Sequence, residues 1–347
     1  MKLSRTLTVA VAAAGTVGLS ACAVGGASGG SDEKSVTIYS ADGLHDGSPN
    51  WYQKEFKAFT KETGIKVQYV EAGSGEVVSR VEKEKANPQA DVLATLPPFM
   101  QQAAADGLLE KYDPKDADSI PADLKDSDGR YTAMMNNYAS WIYNSKQMGT
   151  PPATWQDLLK PEFKGKLQYS TPGEAGDGTA VLINAIHIMG GEKQGLDFLA
   201  KLEHNNVGPS SSTGKLAAKV NHGDLHVANG DVQMNTAQKA DNPNIEVFIP
   251  ADGSGTKVTF ANPYYIALVK DAPQSENGKK LIDFLLAKKA QQDIGPIGKG
   301  FSPRQDVPAT PKLKQVMDGV KVWEPDWNDI AKRLPQLVSK WQQATKE

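Results

Sequence analysis

Two long extended runs, residues 132–144 and 257–270, bracket a stretch that alternates strand and helix patterns on its own. A chain that leaves one α/β unit by a long strand, builds a second unit and returns by another long strand crosses twice between two bodies. Before the first run, short apolar stretches alternate with amphipathic ones, as in a parallel sheet covered by helices on both faces. Residues 36–39 read as the first strand. Ser48 and Pro49 supply an N-cap and a first-turn proline for a helix with Tyr52, Phe56 and Phe59 on one face, ended by Gly64. Ile65, Val67 and Tyr69 alternate as a second strand, residues 76–86 form a helix with Val77, Val78 and Val81 inward, residues 91–95 form a buried strand and residues 98–107 a helix.

The bracketed unit repeats the pattern. Thr154 caps a short helix, residues 167–170 are a strand, and Val181, Leu182, Ala185, Ile186 and Met189 mark a helix closed by Gly190 and Gly191. Leu196, Leu199 and Leu202 mark the next helix. Residues 214–220 are helical, 225–228 extended, a helix starts at Asp231, and 245–249 are extended. Pro263 interrupts the second long run. Beyond it, Ser275 caps a helix with Leu281, Phe284 and Leu285 inward. Asp326 caps a last helix with Ile330, Leu334, Leu337 and Trp341 at helical spacing, in which Pro335 predicts a kink or break. The expected class is α/β with two lobes, each a sheet covered by helices: 35–137 in lobe one, 138–259 in lobe two, and 260–347 returning to lobe one with the C-terminal helices.

The first residues read as a processing signal. Lys2 and Arg5 precede an apolar run over 7–19, too short to span a bilayer, which takes about 20 residues, and Ser20, Ala21 and Cys22 follow. The segment 19–22 (LSAC) resembles the bacterial lipobox, which predicts a signal peptide over 1–21 and lipidation of Cys22. Cys22 is the one cysteine in the chain, so an internal disulfide and a cysteine metal cluster are both excluded. Residues 22–34, rich in Gly and Ser, read as a flexible tether. Without Lys2 and Arg5 the formal charge falls by two, from −3 to −5, with lysines and acids interspersed, so nucleic acid is not an expected partner. The expectation is an exported monomer anchored by lipid to the outer face of the cytoplasmic membrane, or periplasmic.

In an open α/β sheet the ligand lies beyond the carboxyl ends of the strands. The loops there are rich in Gly, Ser and Thr: 40–47, 72–75 and 96–98 in the first lobe, and 170–179, 210–214 and 229–231 in the second. Such residues also serve as ordinary turns and caps. Several of these loops lead into helices, whose first N–H groups and partial positive charge of about half an electron suit an anion. Hydroxyls of Ser74, Ser212 and Thr213, with backbone N–H groups at Gly75, Gly178, Thr179 and Gly214, are the candidate anion donors, and Ser40 is a further candidate contact. The five arginines, Arg5, Arg80, Arg130, Arg304 and Arg333, all lie elsewhere, leaving His45 or Lys215 as a charged helper. Asp42, Asp177 and Asp231 are candidates to pair with an ammonium group, although Asp177 and Asp231 are equally placed to cap helices. Tyr138 and Tyr264, one on each crossing, are further candidate contacts. The combination suits a small zwitterion.

The histidines, His45, His187, His204, His222 and His226, form no H-E-x-x-H metal motif, no G-x-S-x-G elbow is present, and Gly73-Ser74-Gly75 lacks a P-loop lysine. Binding is expected, with no catalytic residue, cofactor or metal, and an enzyme is the less favoured alternative.

At residues 40–46 (SADGLHD), 167–180 (LQYSTPGEAGDGTA), 206–216 (NVGPSSSTGKL), 228–234 (ANGDVQM) and 272–285 (APQSENGKKLIDFL), the chain resembles bacterial 2-aminoethylphosphonate substrate-binding proteins of ABC transporters. The resemblance implies a type II periplasmic-binding-protein fold that closes over 2-aminoethylphosphonate in the cleft, with a permease and an ATPase as partners. A ferric-ion-binding branch of the same superfamily is the rival; it uses paired tyrosines. The stretch 229–233 here reads NGDVQ, and Tyr264 and Tyr265 follow one another on an extended run, where alternation sends them to opposite faces.

Overall fold

The structure is a computed structural model describing residues 34–346. The expected signal peptide, the lipidation of Cys22 and the tether up to residue 33 lie outside the described residues.

The chain opens with β1 (Ser35–Ala41), α1 (Trp51–Thr63), β2 (Lys66–Ala72), α2 (Ser74–Lys83), β3 (Val92–Thr95) and α3 (Phe99–Ala105). The cap of α1 is Asn50, whose side chain accepts from the Gln53 N–H; Ser48 lies too early in the turn to reach it. Such a cap contributes about 1 kcal/mol. Gly64 ends α1 at φ 75°, a left-handed conformation that residues with a side chain rarely adopt. β4 (Leu109–Glu110) and β5 (Thr132–Met135) follow, and then β6 (Ala139–Asn144). The run expected as one strand is thus two, broken at residues 136–138, because β5 and β6 pair in different sheets.

The second unit comprises β7 (Leu167–Gln168), α4 (Gly176–Ile188), α5 (Glu192–Glu203), α6 (Leu216–His222), β8 (Val227–Asp231), α7 (Val232–Gln238) and β9 (Ile245–Phe248). The return consists of β10 (Lys257–Phe260) and β11 (Tyr264–Val269), broken at Pro263, and then α8 (Ser275–Leu286), α9 (Lys288–Gln291), α10 (Pro311–Val316), β12 (Val320–Trp323) and α11 (Trp327–Thr345). Ser275 is the first residue of α8 and not its cap, which falls on Gln274.

The first sheet has the order β2-β1-β3-β11-β4, with β5 also on β11. Its β1, β2 and β3 are parallel, so their carboxyl ends reach one edge, while β11 runs antiparallel. The second sheet has the order β7-β8-β6-β9. The two crossings lie side by side, joined by the Asn262 N–H to the Asn137 carbonyl at 2.8 Å. Each face of the first sheet buries its own apolar cluster: Ile38, Tyr52, Phe59, Tyr264 and Leu285 on one, Tyr39, Val77, Leu93, Phe99 and Tyr265 on the other. Tyr264 and Tyr265 therefore point to opposite faces, as alternation requires.

The expectation that the C-terminal helices accompany the first lobe does not hold for α11. Leu334 joins the cluster around Phe99 in the first lobe, whereas Leu337 and Trp341 enter the cluster around Trp155 and Leu199 in the second. The Trp341 indole donates to the Tyr169 hydroxyl at 3.1 Å. Burying each such side chain contributes roughly 1.5–3 kcal/mol, so α11 is held on both lobes. It runs through Pro335 as one helix, capped by Asp326 as expected.

Candidate functional site

The loops after β1 and β2 meet the loops of the second lobe at the sheet edge. Glycines permit the closest approach. A Cβ on Gly73 would lie 2.7 Å from the Ser211 carbonyl oxygen, and one on Gly75 would lie 2.6 Å from that of Gly173. Without those carbons, the Gly75 N–H donates across the lobes to the Glu174 carbonyl at 3.0 Å. This contact brings the first turns of α2 and α4 together: a Cβ on Gly176 would stand 2.6 Å from the Ser74 Oγ. Ser74 is fully buried and its Oγ has no hydrogen-bond partner in the protein. Two helix N-termini and an uncommitted hydroxyl at one spot suit an anion.

Beside them four aspartates gather. Asp42 reaches from the first lobe into the second, where its Oδ2 accepts from the Ser212 hydroxyl at 2.6 Å and from the Gly214 N–H at 3.3 Å. Asp46 accepts from the Gln238 amide at 2.8 Å. Asp177 and Asp231 are buried. Asp177 accepts from the Asn262 amide at 3.2 Å. Asp231 caps α7 by accepting from the Met234 N–H at 2.6 Å through Oδ1, and its Oδ2 has no partner in the protein.

Burial is the largest influence on all four carboxyls and disfavours their charged forms. It raises Asp42, against the pull of the Ser212 and Gly214 hydrogen bonds. It lifts Asp46 to about 7, helped by Glu71, Asp42 and Asp231. Asp231 also rises to about 7, although the Met234 N–H favours its charge. Asp177 is pushed well above the ordinary carboxylate range by burial and then by Asp231 and Asp42. The charges that act most strongly on these groups are one another's and that of Glu71, so a ligand cation entering here meets carboxylates with no stronger protein partner.

The structure brings Ser74, Gly75, Asp42, Asp177, Asp231, Ser212, Thr213, Gly214 and Tyr264 to this cleft. Thr213 hydrogen-bonds the Ser170 hydroxyl at 2.9 Å and favours the charge of Asp177. The Tyr264 hydroxyl donates to the Asp42 carbonyl at 2.8 Å. Burial and the surrounding aspartates hold its pKa well above normal, so it is a neutral donor and not a phenolate. Tyr265 stacks edge-on against Tyr131, 4.9 Å away on the other face of the sheet.

The remaining candidates lie against other groups. Ser40 hydrogen-bonds the Ala41 carbonyl and meets the Tyr52 hydroxyl inside the first lobe. His45 is exposed and stacks on Tyr69. Tyr138 lies edge-on against Phe301 at the crossing. The Thr179 N–H donates to the Ala175 carbonyl at 3.0 Å, and its hydroxyl also donates there and accepts from the Gly173 N–H, closing the turn before α4. Gly178 packs against the Ser170 carbonyl, 2.2 Å from where its Cβ would be.

Several residues that the sequence reading passed over belong to the cleft: Asp46, Asn137, Ser140, Asn262, Gln233 and Gln238. The Asn137 Oδ1 accepts from the Gln233 N–H at 2.9 Å, and the Gln233 amide reaches the Gly43 carbonyl in the other lobe at 3.2 Å. The available signal was an asparagine in the middle of each apolar crossing. Among the described residues, no three His, Cys, Asp or Glu side chains are grouped to hold a metal ion, and no helix is long and apolar enough to cross a membrane.

Residues 87–333 match the family of bacterial extracellular solute-binding proteins. A Salmonella typhimurium protein, named as a candidate 2-aminoethylphosphonate-binding periplasmic protein, is 52% identical over 317 residues, covering 90% of this chain and 93% of its own length. Iron uptake protein A1 of Synechocystis is 26% identical over 274 residues, 75% of this chain and 73% of that protein. Among solved structures, the periplasmic binding protein AfuA of Actinobacillus pleuropneumoniae, with fructose-6-phosphate bound, superposes with a TM-score of 0.77 at 21% identity. The match covers 90% of this chain and 99% of that one. The ferric binding protein of Campylobacter jejuni gives 0.71 at 23% identity, covering 89% and 99%. The fold is the two-lobe type II periplasmic-binding-protein fold.

Proposed function

Because this chain belongs to the bacterial extracellular solute-binding protein family, we propose that it captures 2-aminoethylphosphonate between its lobes and delivers it to an ABC permease driven by an ATPase. The observation that carries the reading is Ser74 against Gly176 at the joined first turns of α2 and α4, with the buried Asp177 next along α4 and the buried Asp231 close enough to act on it. Opposite preferences lie within one helical turn, which suits a molecule whose ammonium and phosphonate groups are separated by two carbons. Asp177 and Asp231 take the ammonium. The Ser74 hydroxyl and the first N–H groups of α4, with those of α2 other than the Gly75 N–H that bonds the Glu174 carbonyl, take the phosphonate, in keeping with loops that hold no arginine. The name of the Salmonella relative supports this ligand class.

Export, lipidation at Cys22 and a monomeric state complete the proposal, with Cys22→Ser expected to release the protein from membranes and leave ligand affinity unchanged. A ferric-ion role is disfavoured because Tyr264 and Tyr265 point to opposite faces and Tyr264 donates its proton within the protein. Binding without turnover is the expectation, so phosphorus NMR of protein and aminoethylphosphonate should show no released phosphate. Titration calorimetry tests the ligand: heat with 2-aminoethylphosphonate, and ethylphosphonate at least about 100-fold weaker because a buried charge loses its partner. No heat with aminoethylphosphonate, or equal affinity for the ligand lacking the amine, rejects it.

A further inference from the structure

We infer that Asp42 is a latch between the lobes, a positioning residue that holds the cleft shut, and not a contact for the ligand's ammonium group. The inference rests on the closing cleft proposed above. Asp42 is fixed at its backbone on both sides. Its N–H donates to the Ala72 carbonyl at 3.1 Å, and its carbonyl accepts from the Tyr264 hydroxyl at 2.8 Å. From that anchorage in the first lobe the carboxylate crosses to Ser212 and Gly214 in the second, 170 and 172 residues away in sequence. An N–H and a hydroxyl directed at one oxygen form the kind of cradle that would receive a ligand's anion. Here the protein's own carboxylate fills it.

The neighbouring contacts point the same way. The Gln238 amide bridges Asp46 of the first lobe at 2.8 Å and the Gly214 carbonyl at 2.9 Å, and the Gln233 amide joins Gly43 to the Gly298 carbonyl. The loop at 42–46 is thus tied to α7 and to the loop at 212–214 by bonds that need no ligand. The seam draws Asp42 and Asp46 toward Asp231, and a ligand ammonium entering beside Asp177 and Asp231 offsets that repulsion. Closure and cation binding thereby become linked.

The test compares Asp42→Asn, which keeps an acceptor oxygen and drops the charge, with Asp42→Ala and Ser212→Ala, singly and combined. Stopped-flow dissociation of 2-aminoethylphosphonate is expected to speed up about tenfold in Asp42→Ala and in Ser212→Ala, the loss of a charge-assisted hydrogen bond. The double variant is no faster than the quicker single one, and Asp42→Asn stays within about threefold of wild type. Asp42→Asn as fast as Asp42→Ala, with Ser212→Ala normal, makes Asp42 an ammonium contact and overturns the latch; so do multiplicative effects in the double variant. A second readout needs no ligand. Spin labels on the two lobes give a short distance component that Asp42→Ala loses and Asp42→Asn keeps. A wild type without that component, or one unchanged in Asp42→Ala, overturns the latch. A silent calorimetric titration with aminoethylphosphonate rejects the ligand alone, and the spin-label distances still judge the latch.

Discussion

The two ends of the cleft are built from the same residue types and use them differently. At one end Asp42, Asp46, Ser212, Gly214 and Gln238 bond protein to protein across the lobes. At the other, the Ser74 Oγ, the Ser140 Oγ, one oxygen of Asp231 and the Asn262 Oδ1 are buried without a partner in the protein, as are the Gln233 Oε1 and Asn235 Oδ1 of α7. A buried polar group without a partner costs about 1–3 kcal/mol, so a protein that keeps several together gains by receiving a molecule there. The difference separates two tasks: closing the lobes, done by bonds of the chain's own making, and recognising the solute, left to groups that hold their bonding capacity in reserve.

The largest expected effect falls on the reserve end. Asp231→Asn preserves the oxygen that caps α7 and removes the charge, so calorimetry should show aminoethylphosphonate affinity falling about 100-fold while the melting temperature barely moves. A loss below about threefold would erase the distinction between the two ends.

The dependence on pH comes next. Folded Asp46 and Asp231 keep their protons up to about 7, whereas an aspartate in an unfolded chain ionises near 3.8. Between those values the folded state binds more protons than the unfolded one, so raising the pH through that window lowers stability. The ligand-free protein should therefore melt higher at pH 5.5 than at pH 8 in a thermal scan. Aminoethylphosphonate, whose ammonium favours the ionised carboxyls, should bind about tenfold tighter at pH 8 than at pH 5.5. Opposite trends would place the titrating groups elsewhere.

The smallest effect belongs to Ser74→Ala. Its Oγ bonds nothing in the protein, so stability should hold, while affinity for both aminoethylphosphonate and ethylphosphonate drops about fivefold, the worth of one hydrogen bond. A change in thermal stability without a change in affinity would make Ser74 a packing residue.

Much of the site was legible as location. The strand-helix alternation sent attention to loops at one sheet edge, and Asp42, Asp177, Asp231, Ser74 and the 212–214 loop do meet there. Their roles were not legible. Ser212 and Gly214 had the composition of anion donors, yet which anion they serve depends on a carboxylate 170 residues away. Ser40 had suitable chemistry and neighbouring partners that absorb it, whereas His45 and Tyr138 are placed by ring contacts with Tyr69 and Phe301. Asn137 and Asn262 were overlooked because an asparagine within an apolar run is read locally as a break, while its amide acts on strands from distant parts of the chain.

The amino-acid sequence by itself determined the class of fold, the two crossings, the opposite orientation of Tyr264 and Tyr265 and the loops that form the cleft. These follow from periodicities of two and 3.6 residues and from turn chemistry, all local properties. Tertiary structure alone decided that α11 packs on both lobes, that Asp42 bonds across the cleft and that Asp231 keeps an oxygen free. Each of these depends on which surfaces meet and on what burial removes from water, and neither quantity is carried by any one stretch of the chain.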